Sequence, residues 1–153
     1  MEILKEIKSI KKKEPIYVFG HKNPDIDTIT SIYLLKQIFN KKNIIGLIHE
    51  SYENLPENSK LFMKQFDIVS DFVYNQTLSK YDYFIMVDHN DIFESVGIEE
   101  YKPVYVLDHH KQKREILKGI IEPYSSCALL IYDKFKDFYN FSDKEKEMIL
   151  LST

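Results

Sequence analysis

Tryptophan is absent from the chain, and cysteine occurs once, at Cys127. A lone thiol rules out an intramolecular disulfide framework and a thiolate zinc site, and it suits a reducing cytoplasm. Glycine (four residues) and proline (five) are scarce across 153 residues, leaving little room for a flexible interdomain hinge. No apolar run approaches the roughly 20 residues of a membrane-spanning helix. The charges spread through MEILKEIKSIKKKEP break the apolar stretch that a signal peptide needs. Positive charge is not in excess either: a net charge of −3 offers no global basic field for nucleic acid or an anionic membrane. The Tyr and Phe residues are scattered rather than arranged as base-stacking platforms. What remains is a 44% hydrophobic, 29% charged chain, the composition and length of one ordinary globular domain.

The pattern along the chain is short apolar runs alternating with longer periodic segments. The first residues read as an amphipathic helix with Ile3, Leu4, Ile7 and Ile10 on one face, and Lys11–Lys13 as its solvated end. IYVFG (16–20), Ile44–Ile48, YFIMV (83–87) and VYVL (104–107) read as buried strands. Helical spacing follows Thr28, with Ile32, Leu35 and Ile38. Asn58 is positioned to cap another helix, Ser126 to Phe138 continues the pattern, and Ser142 with Glu145 can form a capping box. Strands alternating with helices predict an α/β fold: a Rossmann-like parallel sheet with helices on both faces. The chain stops at EMILLST inside an apolar helix, which reads as a domain truncated at its C-terminus.

Aspartate and histidine accumulate where the strand runs end. IYVFG leads into His21, Asp25 and Asp27; YFIMV leads into Asp88, His89 and Asn90; VYVL leads into Asp108, His109 and His110. In a parallel sheet these carboxyl ends lie side by side, along the crevice where ligands bind. Four carboxylates gathered there would repel one another unless a cation intervenes, and imidazoles beside them favour a metal over protonation. Mixed carboxylate and imidazole donors suit Mn²⁺, Co²⁺ or Zn²⁺ better than Ca²⁺. The carboxylates exceed the needs of one ion and point to a pair about 3.5–4 Å apart, able to activate a shared hydroxide. Ordinary imidazoles would release metal as pH falls through about 6.5. Taken singly, these residues have plainer readings: Asp27 or Thr28 as a helix cap, His49 as a structural residue, Cys127 as core. His89, with Asn90 beside it, reads as orienting a ligand rather than being one.

GHKNPDIDTITS (20–31), VDHND (87–91), LDHHK (107–111) and IEPYSSCALLIYD (121–133) follow one another in the order of motifs in the manganese-dependent, family II inorganic pyrophosphatases of the Asp-His-His superfamily. The chain resembles the amino-terminal domain of that family over nearly its whole length, and residues 1–153 read as one incomplete domain of that kind. The resemblance implies metal-dependent hydrolysis of pyrophosphate to two phosphates with two Mn²⁺ ions, Co²⁺ or Mg²⁺ being substitutes. By position, His21, Asp25, Asp27, Asp88 and His109 match metal ligands, Asp88 the bridging one. His110 matches the histidine that contacts the phosphate, and Asp108 a buried aspartate behind the site. The family commonly has Gly before the small hydroxyl residue after its Glu-Pro; this chain has Ser125-Ser126, onto which substrate contacts carry over. The family also has one more metal-binding aspartate, and a second, carboxy-terminal domain supplying Lys and Arg to the phosphates. Neither is in this sequence, so the isolated chain is expected to have little activity. Two alternatives stay open: a phosphodiesterase of the same superfamily acting on short oligonucleotides or cyclic dinucleotides, and a non-enzymatic metal-binding regulatory fragment. No nucleic-acid or membrane partner is expected beyond those substrates, and a homodimer is compatible with the sequence.

Overall fold

The computed structural model describes residues 1–97, 100–115 and 118–153. Six strands, β1 (Ile16–Phe19), β2 (Ile44–Ile48), β3 (Phe72–Tyr74), β4 (Tyr83–Val87), β5 (Tyr105–Asp108) and β6 (Gly119–Ile121), form one sheet in the order β3-β2-β1-β4-β5-β6. Every pairing is parallel. All four residues of β1 are buried, which is why this central strand reads as an unbroken apolar run. Its side chains alternate between two cores. Ile16 and Val18 join one with Ile85, Val87 and Leu107, while Tyr17 and Phe19 join the other with Phe84, Met86 and Val106.

Helices α1 (Glu2–Ser9), α2 (Ile26–Ile38), α3 (Glu57–Gln65), α4 (Cys127–Phe135) and α5 (Asp143–Ser152) all contribute to the first core. Both faces are covered, as apolar strands demand, but unequally. Among the described residues the second face carries Leu78 from the β3–β4 connection and the 3₁₀ turn Ile92–Glu94, with Ile92 buried against it. Crossover handedness accounts for part of the inequality, and α1, α4 and α5, which lie outside the crossovers, add to the first face. Running outward through β2 and β3, right-handed crossovers put α2 and α3 on one face; beyond β4 the direction reverses, so connections fall on the other. Between β1 and β4 lies the switch point, where such sheets hold their ligands.

α2 sits close on the sheet because glycines admit it. A Cβ on Gly46 would come within 2.9 Å of Ile32 Cγ2, and one on Gly20 within 2.1 Å of Thr28 Cγ2. Some local expectations need adjustment. β5 begins one residue later than expected, and β3 and β6 are strands the apolar pattern does not announce. Pro56, not Asn58, precedes α3, whose Ser59 instead donates to Pro24 O at 2.7 Å. α4 ends at Phe135 rather than Phe138, while Ser142 and Glu145 form the expected capping box. Among the described residues no helix is long and apolar enough to cross a membrane.

Candidate metal centre

β4 ends at Val87, and Asp88 turns into the left-handed region at φ 58°, a conformation aspartate tolerates better than most residues. Its N–H donates to Leu107 O at 3.0 Å, tying the turn to β5. The side chain, 2% exposed, is the hub of the crevice. Oδ1 lies 3.0 Å from His109 Nε2, and Oδ2 lies 2.6 Å from Thr28 Oγ1 and 3.5 Å from His21 Nε2. Each imidazole is fixed from behind: His21 Nδ1 donates to Lys22 O at 2.7 Å, His109 Nδ1 to Tyr124 O at 2.9 Å. Metal-ligating histidines are commonly held in this way, with one nitrogen tied to a carbonyl and the other aimed at the ion.

The electrostatics agree with that geometry. Hydrogen bonding to Asp88 pushes both His21 and His109 up to about 9, against the opposing effect of burial. Burial alone would raise Asp88, but hydrogen bonds from His109, His21 and Thr28 outweigh it and hold the carboxyl far below the usual range. Without metal, protons on the two imidazoles thus stand where cations would offset the buried carboxylate. Asp27 is pushed up to about 7, first by burial and then by the charge of Asp88, despite backbone N–H donors from Ala128 and Cys127.

Among the described residues, two sets of donors lie within metal-sharing reach, each with its ligand atoms inside 4.8 Å: His21, Asp25 and Asp88, and Asp88, Asp108, His109 and His110. Asp25, rather than Asp27 or Thr28, caps α2, accepting Thr28 N at Oδ1 over 2.9 Å. Asp27 reaches across to α4, accepting Cys127 N and Ala128 N at 2.9 Å each, while its Oδ2 is 3.3 Å from His109 Nε2. Asp108 is fully buried. Its Oδ1 accepts His110 Nδ1 at 2.7 Å and its Oδ2 accepts Asn90 Nδ2 at 2.6 Å. His110 is half exposed and lines, with His21, Asp88 and Asp108, a cavity of about 410 Å³.

His89 lines the same cavity but hydrogen-bonds none of the candidate ligands: Nδ1 donates to Val87 O at 2.9 Å and Nε2 pairs with Ser95 Oγ at 2.7 Å. Burial lowers its pKa, which favours the neutral ring. Ser126, expected at the substrate, is buried and caps α4, its Oγ accepting Leu129 N at 3.0 Å; Ser125 beside it is exposed. His49 packs edge-on against Phe19 and is held near 4 by burial, with Nε2 buried and unpartnered. Cys127 is wholly buried, donating from Sγ to Leu107 O. Sequence reasoning missed Thr28 as a member of the centre, although its hydroxyl bridges His21 Nε2, at 3.0 Å, and Asp88. Its position three residues after Asp25 was the available signal, and it reads equally well as a cap.

Residues 15–152 match the model of the DHH family, N-terminal domain. The chain is 28% identical over 146 residues to the manganese-dependent inorganic pyrophosphatase of Bacillus subtilis (strain 168), covering 91% of this chain and 46% of that protein. Over 97 residues it is 30% identical to the enzyme of that name from Methanothrix thermoacetophila, covering 63% of this chain and 30% of the other. It therefore spans less than half the length of the curated relatives it matches. Crystal structures sharing the fold include that of a Methanococcus jannaschii protein titled a putative family II inorganic pyrophosphatase, with TM-score 0.73 and 23% identity over 90% of this chain and 47% of its own. Another is that of an exopolyphosphatase-related protein from Bacteroides fragilis, with TM-score 0.69 and 17% identity over 99% of this chain and 47% of its own.

Proposed function

The chain belongs to the DHH family, as its N-terminal domain, and from that premise we propose that it is the metal-holding part of a manganese-dependent inorganic pyrophosphatase. One observation carries the reading: a buried carboxylate at the switch point, Asp88, lies between two imidazole Nε2 atoms whose Nδ1 atoms are tied to carbonyls. That donor set fits divalent ions of the manganese type. His21 and Asp25 would serve one ion, Asp27 and His109 the other, and Asp88 both. When bound, such ions supply Lewis acidity and acidify a water molecule into a nucleophile. The names of the relatives support pyrophosphate as the substrate, and the buried free Cys127 is in keeping with a reducing cytoplasm.

The remaining work falls to this chain's own side chains. Asp108 holds His110 through Nδ1–H, which leaves Nε2 as the atom that meets the substrate and exchanges a proton with the departing phosphate. Asn90 fixes Asp108 from its other oxygen, keeping the ring's support in place. The reading is tested by comparing phosphate release from pyrophosphate with cleavage of a cyclic dinucleotide by the manganese-loaded protein. Pyrophosphate is expected to be preferred, and His110→Ala to lose about 10²–10³-fold in turnover while retaining its manganese. Preferential cleavage of the dinucleotide would assign the chain to a phosphodiesterase, and loss of manganese from His110→Ala would take that ring away from the substrate.

A further inference from the structure

Immediately after Asp108-His109-His110 the chain runs Lys111-Gln112-Lys113-Arg114, a basic stretch whose first three residues line the 410 Å³ cavity. Its three cations are not equivalent. Lys113 pairs with Glu94, and Arg114 Nε lies 2.8 Å from Asp91 Oδ1 with its guanidinium 4.5 Å over the Phe93 ring. Asp91, Phe93 and Glu94 all belong to the 3₁₀ turn after β4 and its cap, so both side chains are spent as anchors. The backbone is pinned as well: Asn90 donates Nδ2 to Lys111 O at 3.1 Å and accepts Lys113 N at 2.7 Å. Lys111 alone has no carboxylate within ion-pair distance among the described residues, and it lines the same cavity as His21, Asp88, Asp108 and His110.

We propose that Lys111 is a phosphate-binding cation of the site, held at the cavity wall by the two ion-pair anchors and by Asn90. Its ligand is a polyphosphate oxyanion; only the identity of that anion rests on the pyrophosphatase reading. Charge balance favours a cation at this wall. Asp25, Asp27, Asp88 and Asp108 together match two divalent ions, leaving nothing over to offset a polyanionic substrate. Asn90 also sets two groups against each other, because the amide that holds Lys111 O holds Asp108, and Asp108 orients His110. Lysine position and ring orientation are therefore fixed by one side chain.

The test is calorimetric titration of the magnesium-loaded protein with imidodiphosphate, a non-hydrolysable pyrophosphate mimic, with inorganic phosphate and a linear dinucleotide in parallel. Lys111→Gln should bind imidodiphosphate about 10–100-fold more weakly, the loss of one charge-assisted hydrogen bond, with metal content unchanged. Its affinity should also depend less steeply on salt, and Lys111→Arg should recover binding to within about threefold. Lys113→Gln, which removes an anchor and not a ligand, should cost less than Lys111→Gln. Anion binding indifferent to Lys111, or no binding of any probe, overturns the assignment. If only the dinucleotide binds, and does so through Lys111, the cation stands and the pyrophosphate reading falls.

Discussion

The helix-covered face of the sheet and the crevice at its carboxyl ends obey opposite rules. On the helix side, Ile16, Val18, Leu34 and Phe135 are fully buried, and apolar surface is removed from water without any unpaired charge. In the crevice, Asp27, Asp88 and Asp108 are buried carboxylates, Asp88 has a positive φ, and two imidazoles are pushed up to about 9. The first region supplies stability; the second holds desolvated charge that a bound cation would relieve. They meet on one element. α2 presents Ile29, Ile32 and Leu35 to the core, while its first turn carries Asp27 and Thr28 into the crevice.

The largest expected effect comes from the core. Phe135 is fully buried and meets Phe39 edge-on, ring centroids 5.7 Å apart. Phe135→Ala should destabilise the chain by about 3–5 kcal/mol in urea titration, since the transfer loss adds to the cavity left behind. A loss under about 1 kcal/mol would mean that α4 repacks freely, and the division between a rigid core and a strained crevice would not hold.

Between about pH 6.5 and 9, a pH series acts on the crevice histidines. Histidines whose folded pKa exceeds the unfolded value of about 6.5 stabilise the metal-free chain below that pH, and the contribution disappears as pH rises through about 9. The metal-free urea midpoint should therefore fall between those limits. Manganese affinity should rise over the same window, because both His21 and His109 must lose a proton to bind. The slope approaches about 100-fold per pH unit where both rings are protonated. The expectation from ordinary imidazoles, a window near 6.5, is displaced upward by the Asp88 hydrogen bonds. An affinity already flat above pH 7 would show that the rings are not held as imidazolium.

Much of this was legible in the sequence, for physical reasons that also explain the remainder. β1, β2 and β4 announce themselves because both faces are buried, so their apolar runs are unbroken or nearly so. β3 and β6 are edge strands of three residues each, half-solvated and too short to impose a period. The convergence of Asp and His was readable because parallel strands bring their ends together. The support behind it was not. His21 and His109 are oriented by the carbonyls of Lys22 and Tyr124, and a carbonyl leaves no trace in side-chain identity. Asp27 meets the start of α4 across 100 residues of chain, a partnership no local pattern encodes. Ser126 looked like a substrate contact because it follows Glu122-Pro123; the helix it begins had the prior claim on its hydroxyl.

The smallest effect tests whether the two regions are independent. Ser142 accepts Glu145 N at 3.1 Å, and Glu145 returns the bond by accepting Ser142 N at 2.8 Å and Tyr139 OH at 2.9 Å. Ser142→Ala removes one half of this box and should cost about 1 kcal/mol of stability, the usual worth of such a cap. α5 packs against α2, and α2 begins with Asp25 and Asp27, so a route from cap to crevice exists. The helix start nevertheless stays rigid without α5: Asp25 caps it, Thr28 Oγ1 bonds to Asp88, and Asp27 is bound to α4. Manganese affinity of Ser142→Ala, measured by calorimetry at a pH where both variants are fully folded, should lie within about twofold of the parent, as for distant sites that share no partner. A tenfold loss would mean that helix packing sets the ligand geometry, and that the crevice is stabilised by the same face it contrasts with.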